Sequence, residues 1–333
     1  METIWQIEIQ ITLFLQSLGD WLTPIMKGFS FLGNEEFYLI IMPFLYWCVN
    51  STWGARVAIM MLLSNGLSAP LKLVFHSPRP YWVDPQVQGM ISETSFGLPS
   101  GHAQNAASIW GALAVSLKKR WVTIGVIVVV FLIGLSRIFL GVHFTSDVLG
   151  GWLVGGLLVL GLIKLEKPIV EWFKRRSFEQ SLIVALVSSL LIILVCLLIE
   201  LAWNGWEMPA AWIQNAVADT GIEPDPLNLN GIIGVAGTWL GMLGGISWFY
   251  RRYGMFYAAG PGWKRIVRYF VGIAGVLLLW YGLGKIFPRD YDILSFSLRY
   301  LRYMLVGLWV AAAGPWTFIR IGLAGKPSAR RSK

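Results

Sequence analysis

Residues 121–163 read WVTIGVIVVVFLIGLSRIFLGVHFTSDVLGGWLVGGLLVLGLI. Two apolar runs, 121–140 and 146–163, flank a short corner with His143 in it and Arg137 and Asp147 at the run ends beside it. Each run has about the length that a helix needs to cross a hydrocarbon core of ~30 Å. Ionisable groups at such a position are expensive in lipid, and they are usually functional.

The rest of the chain is of the same kind. It has 333 residues, 56% hydrophobic and only 14% charged, against about 25% charged in soluble domains. The mean hydropathy is +0.62. Eighteen tryptophans suit rings placed at headgroup level. The fold class expected is all-α, a polytopic membrane helical bundle. A net charge of +9 raises the question of nucleic acid. The basic residues, however, sit in short clusters between apolar runs, which is orientation information and not a basic face. Cys48 and Cys196 lie inside apolar segments and read as small buried residues. The first segment holds Glu2, Glu8 and Asp20 without a basic leader, so no cleavable signal peptide is expected.

Nine spans are expected, near 37–55, 57–75, 101–117, 121–140, 146–163, 180–199, 229–250, 268–285 and 300–319. Residues 1–34 read as interfacial, with no clean period. Nine spans put the termini on opposite sides. One side then collects Arg56, Lys118 to Arg120, Lys164 to Arg176, Arg251 to Arg268 and the tail from Arg320, which is 19 of the 27 basic residues and 3 of the 18 acidic ones. That side is expected to be cytoplasmic, with the C-terminus on it and the N-terminus external.

Three motifs fall on the external side. In Lys72-Leu-Val-Phe-His-Ser-Pro-Arg79-Pro80 the two cations are seven residues apart, two helical turns along nearly one face, and Pro80 is expected to end the helix. Alone, they read as snorkelling side chains at a membrane edge. In Pro99-Ser100-Gly101-His102, Ser100 is a good N-cap and Gly101 leaves the first N–H groups open, which makes an anion site of the helix start. Alone, it reads as an ordinary helix start. In Ser136-Arg137-Ile-Phe-Leu-Gly-Val-His143-Phe-Thr-Ser-Asp147, the carboxylate lies within reach of one imidazole nitrogen at i,i+4. It would fix the tautomer and leave the other nitrogen free to attack. Alone, this is an edge salt bridge. Together the motifs gather three cations, an anion-binding helix start, two histidines and a carboxylate at one membrane face.

The pattern Lys-x6-Arg-Pro, Pro-Ser-Gly-His, Ser-Arg-x5-His-x3-Asp resembles the type 2 phosphatidic acid phosphatase superfamily, and matches it over residues 72–147 without a departure. That superfamily includes lipid phosphatases, polyprenyl diphosphate phosphatases, glucose-6-phosphatase, bacterial acid phosphatases and vanadium haloperoxidases. The nine-span layout and the continuation Pro80-Tyr81-Trp82 are similar to glucose-6-phosphatase. The start Gly33-Asn34-Glu35-Glu36-Phe37-Tyr38 looks more like sphingosine-phosphate phosphatases. The resemblance implies a phosphatase core over residues 1–165 and additional transmembrane helices over 166–333. It implies a metal-independent phosphoric ester hydrolase with no cofactor. His143 is the implied nucleophile, oriented by Asp147, and His102 the implied proton donor to the leaving group. Lys72, Arg79, Ser100, Gly101 and Arg137 would hold the phosphate.

The expected substrate is a phosphorylated lipid, as a monoester or diphosphate; the alternative is a soluble sugar phosphate. A vanadium-dependent oxidase and a non-catalytic transporter or receptor are weighed against these. The membrane setting opposes the first, and the intact His102 and His143 oppose the second. The expected location is the plasma (inner) membrane, with the active site external or periplasmic and no nucleic-acid partner. His76 reads as a bystander or pocket wall. The segment 200–228, acidic and Trp-rich, reads as an aromatic belt or a cap over the site. Leu283-Gly-Lys-Ile-Phe287 faintly echoes Leu135-Ser-Arg-Ile-Phe139, a similarity that membrane segments reach by chance.

Overall fold

The computed structural model describes residues 2–203 and 205–325, and all regular structure in them is helical. The basic tail expected on the cytoplasmic side, Lys326 to Lys333, lies outside the described residues. Among the described residues, seven helices are long and apolar enough to cross a membrane: Ser51–Val83, Arg120–Phe139, Thr145–Lys174, Phe178–Ala202, Asn230–Tyr253, Gly262–Ile286 and Ile293–Arg320.

Two of the nine expected spans are helical but shorter than these seven. The first, near 37–55, is helical only from Glu35 to Val49, with Pro43 inside it. It stops because Asn50 turns extended and caps the next helix, its Oδ1 accepting from Thr52 N at 3.0 Å and Trp53 N at 3.2 Å. The second, 101–117, is helical throughout but short, and ends at Lys118 in the left-handed region (φ 53°).

The chain forms two compact units. The first comprises Met1–Tyr38, Leu63–Ile163 and Val195–Asn228. Its Arg120–Phe139 helix packs against the 101–117 helix and against two N-terminal helices, Glu2–Gln16 and Thr23–Phe31. The N-terminal segment is therefore more than an interfacial strip: it braces the corner between the runs quoted above. The carboxylate of Glu8 accepts from Ser146 N and Oγ at 2.8 and 3.0 Å. Gln16 Nε2 donates to Phe139 O at 3.0 Å, and Trp5 stacks on Phe144. Small residues bring the Thr145–Lys174 helix onto the 101–117 helix. A Cβ on Gly151 would lie 2.6 Å from Ser100 O, and one on Gly155 would lie 2.7 Å from Gln104 O.

The second unit comprises Leu39–Leu62, Lys164–Leu194 and Leu229–Lys333. Its principal packing joins Asn230–Tyr253 to Ile293–Leu308. A Cβ on Gly237 or Gly241 would fall within 2.4 and 2.0 Å of the facing carbonyls of Tyr300 and Met304, so the two backbones touch. Arg268 is fully buried here, donating to the carbonyls of Trp47, Ala258, Ala259 and Leu323 at 2.5–3.3 Å.

Candidate active site

All eight residues singled out from sequence lie in the first unit. The helix Ser51–Phe75 carries Lys72 and ends before Arg79, which differs from the expectation of one helical face. Two X-Pro bonds explain this: Ser77 precedes Pro78 and Arg79 precedes Pro80, and a residue before proline is driven out of the helical region. Arg79 is extended (φ −103°, ψ 154°), and Pro80 opens a new short helix, Pro80–Val83, instead of ending the old one. His76 starts the break with φ 46°.

The extended turn brings Arg79 onto the third motif. Its Nη1 donates to Val142 O at 2.7 Å and lies 3.2 Å from His143 Nε2. The other ring nitrogen, His143 Nδ1, meets Asp147 Oδ2 at 3.2 Å, and that oxygen also accepts from Phe144 N at 3.0 Å. The carboxylate therefore accepts the hydrogen bond of Nδ1–H and leaves the Nε2 lone pair facing the guanidinium. Burial, then the positive charges of Arg79, Arg137 and Lys72, hold the His143 imidazole well below its usual pKa, so the ring is neutral.

The second motif joins through the backbone. Ser100 N donates to Asp147 O at 2.9 Å, and Ser100 Oγ accepts from Ala103 N at 3.5 Å as the N-cap of the 101–117 helix. The nearest atom to a Cβ built on Gly101 is Ser68 Oγ, 3.8 Å away, so space remains beside the helix start. His102 forms no hydrogen bond with the other seven; its Nε2 pairs with Asn34 Oδ1 at 2.6 Å.

Sequence reasoning missed the groups that hold the cations. Glu93 is chief among them. Its Oε1 accepts from Arg137 Nη2, and its Oε2 lies 3.6 Å from Arg79 Nη2. Burial opposes its charge, yet the guanidinium groups of Arg79 and Arg137 outweigh burial and hold the carboxyl well below the usual range. Ser95 and Phe96 do the rest. Lys72 Nζ donates to Phe96 O and to Ser95 Oγ (3.1 Å), while Arg79 donates to Ser95 O at 2.7 Å and Phe96 O at 3.2 Å. Arg137 Nη1 donates to Ser30 Oγ at 2.6 Å. Two buried atoms, Arg137 Nε and Asp147 Oδ1, have no protein partner. The only signal for Glu93 was a polar residue in the loop between the first two motifs.

His76 stands at one edge, its ring 4.4–4.7 Å from those of Phe96, Trp203 and Trp206 and both nitrogens without a partner. The 200–228 segment thus packs on the loop that grips Lys72 and Arg79. It also contains the helix Ala210–Thr220, whose Asn215 donates to Trp82 O at 2.9 Å and whose Asp219 accepts from Gly89 N at 2.6 Å. A neutral imidazole backed by a carboxylate, with Arg79 at its other nitrogen and Lys72 and Arg137 nearby in the same cluster, has the groups that binding and attack of a tetrahedral oxyanion would need. Among the described residues, no group of three or more His, Cys, Asp or Glu could hold a metal ion.

Comparison with known proteins bears on the same residues. The PAP2 superfamily model matches residues 53–171, and a second model, the PAP2 superfamily phosphatase transmembrane extension, matches 233–326. The chain is 33% identical over 171 residues to phosphatidylglycerophosphatase B of Bacillus subtilis, covering 47% of this chain and 80% of that one. It is 34% identical to human sphingosine-1-phosphate phosphatase 2 over 39% of this chain and 34% of that protein. With human glucose-6-phosphatase 3 it is 28% identical over 61% of this chain and 66% of that protein. A crystal structure of a transmembrane PAP2-type phosphatidylglycerolphosphate phosphatase from Bacillus subtilis has 28% identity and a TM-score of 0.45, covering 51% of this chain and 89% of that one. This chain belongs to the PAP2 superfamily, the type 2 phosphatidic acid phosphatases, and is an integral membrane phosphatase of that family.

Proposed function

We propose that this protein hydrolyses the phosphate monoester or diphosphate of a lipid through a phosphohistidine at the external face of the plasma membrane. The observation that carries the mechanism is His143, with Nδ1 held by Asp147 and Nε2 turned toward Arg79. Nε2 attacks phosphorus in line as the ester P–O bond breaks, and His102 gives its proton to the leaving oxygen. His102 then takes a proton from water, whose oxygen attacks phosphorus as the P–N bond breaks, releasing phosphate and neutral His143. Lys72, Arg79, Arg137, Ser100 and the Gly101 N–H hold the phosphate oxygens; arginine suits bidentate contact and lysine adds a point charge. No metal is needed for these steps. Hydrolysis should survive EDTA and be inhibited by vanadate, which can mimic five-coordinate phosphorus. Activity that vanished on chelation and returned with magnesium would refute the mechanism.

Residues 1–165 form the catalytic core in this reading, and the helices of 166–333 serve structure or substrate access. The basic-residue asymmetry puts the C-terminus in the cytoplasm and the motifs outside. Labelling of cysteines at Ser328 and Asp84 from one and the same side would sink this orientation.

A lipid substrate is supported by the aromatic cluster of Phe96, His76, Trp203 and Trp206 packed beside the cations, with Trp203 exposed. It also accords with two of the relatives, whose names specify lipid phosphates. The sugar-phosphate alternative rests on the match to glucose-6-phosphatase 3. Competition in detergent between lysophosphatidate or a polyprenyl phosphate and glucose 6-phosphate decides between them. A higher kcat/KM for the sugar phosphate would transfer the assignment to that alternative.

A further inference from the structure

A second concentration of cations lies in the C-terminal extension, in the unit that contains no catalytic motif. The helices Asn230–Tyr253, Gly262–Ile286 and Ile293–Arg320 meet around a cavity of about 450 Å³. Arg289, Arg299 and Arg302 line it, together with Trp280, Ser295 and Tyr303. One acidic residue, Asp290, is on the wall, and none of the three arginines forms an ion pair among the described residues. Arg289 donates to Gly284 O at 3.0 Å, and Arg299 donates to Asn230 O at 2.7 Å. Both Arg299 and Arg302 lie over the ring of Tyr303, at 5.4 and 5.1 Å. These contacts orient the guanidinium groups without neutralising them. Arg302 Nε and Ser295 Oγ are buried and have no partner.

Arg302 lies on a helix long and apolar enough to cross a membrane, where a cation without a counter-charge is expensive and usually functional. The fold also makes room for it: a Cβ on Gly284 would come within 2.3 Å of Arg302 Nη1. Planar guanidinium forks beside a buried hydroxyl suit a tetrahedral oxyanion, whose several oxygens accept from more than one fork at once.

We propose that this cavity is a second anion site that takes a phosphate group, either as free orthophosphate or as the headgroup of an anionic phospholipid. It is separate in sequence and in its residues from the catalytic cluster, and it assigns a ligand to the transmembrane extension.

The test uses full-length protein in detergent, in an Arg137→Ala background that weakens phosphate binding at the catalytic cluster. Orthophosphate binding is measured by equilibrium dialysis, and retention of phosphatidylglycerol by native mass spectrometry. Adding Arg302→Gln should weaken at least one of the two by tenfold or more, while Arg299→Lys, which keeps the charge, should retain most of it. Loss confined to phosphatidylglycerol identifies a lipid headgroup as the ligand, and loss confined to orthophosphate identifies the free anion. Should Arg302→Gln not fold, the exposed Arg289→Gln carries the test and should weaken binding severalfold. Unchanged binding of both probes in the folded variant, or no binding of either probe before Arg302 is changed, overturns the proposal.

Discussion

Arg79 and Arg137 in the first unit and Arg299 and Arg302 in the second are pairs of arginines held within a membrane protein, and they are compensated in opposite ways. The first pair shares the carboxylate of Glu93. The second pair shares only the ring of Tyr303, and Arg299 alone donates to a carbonyl, that of Asn230. A desolvated charge needs a partner, and a carboxylate meets that need far better than a ring face does. The first pair therefore has a counter-charge before any ligand arrives, and on the proposed function an incoming phosphate would compete with Glu93. The second stays short of negative charge. Arg268 shows a third solution, in which four carbonyls accept from its two terminal nitrogens, the pattern of an arginine held by backbone.

The largest effect expected on this comparison is at the centre of the compensated cluster. His143→Ala should lower kcat by about 10⁴-fold or more on every substrate, since it removes the attacking atom. A variant within tenfold of the unchanged protein would show that the Arg79–His143–Asp147 arrangement is not the reacting centre. The same residue sets an acid limit. Its folded-state pKa lies below the ordinary value of about 6.5, so Nε2 stays unprotonated as pH falls through that value, and the acid limb of kcat/KM should lie below it. The unfolded chain binds the proton more readily, so stability from this group falls as pH drops below about 6.5.

His102→Ala should cost roughly 10²-fold or more on an alkyl phosphate and much less on an aryl phosphate, whose leaving group needs little protonation. Equal losses would remove His102 from the leaving-group role and point instead to its bond with Asn34 as structural. For the structural arginine, Arg268→Met strands several buried carbonyls and should destabilise the folded protein by about 3 kcal/mol or more. Thermal unfolding reads this, and a Tm unchanged from that of the parent protein would erase the contrast between enclosed and ligand-seeking arginines.

The smallest effect is at Glu93. Glu93→Gln removes the internal competitor while keeping the shape, and should tighten vanadate inhibition severalfold. Weaker inhibition would mean that the carboxylate positions Arg79 and Arg137 more than it competes with the phosphate.

What was legible in the chain follows from the range of the interactions involved. Asp147 and His143 are neighbours at i,i+4, so their pairing was readable, as was the cap of Ser100 on the helix that begins at Gly101. The positions of Arg79 and Pro80 were misread because a lysine–arginine spacing suggests a helix, whereas two alternate prolines break it. Glu93, Ser95, Ser30 and Asn34 had no pattern to announce them: each reaches its partner through contacts 16 to 107 residues away in sequence.

Composition and apolar run length determined that this is an all-helical membrane protein, because the cost of burying charge in lipid acts on every residue whatever the fold. Three short motifs pointed to the proposed chemistry, because each is compact in sequence. The tertiary structure alone decided which cations are neutralised and which are not. That depends on a loop carboxylate reaching two arginines from separate elements, and on three helices closing around Arg302 with no acid paired to it. Such pairings are set by packing, and side chains distant in sequence carry no periodicity that could disclose them.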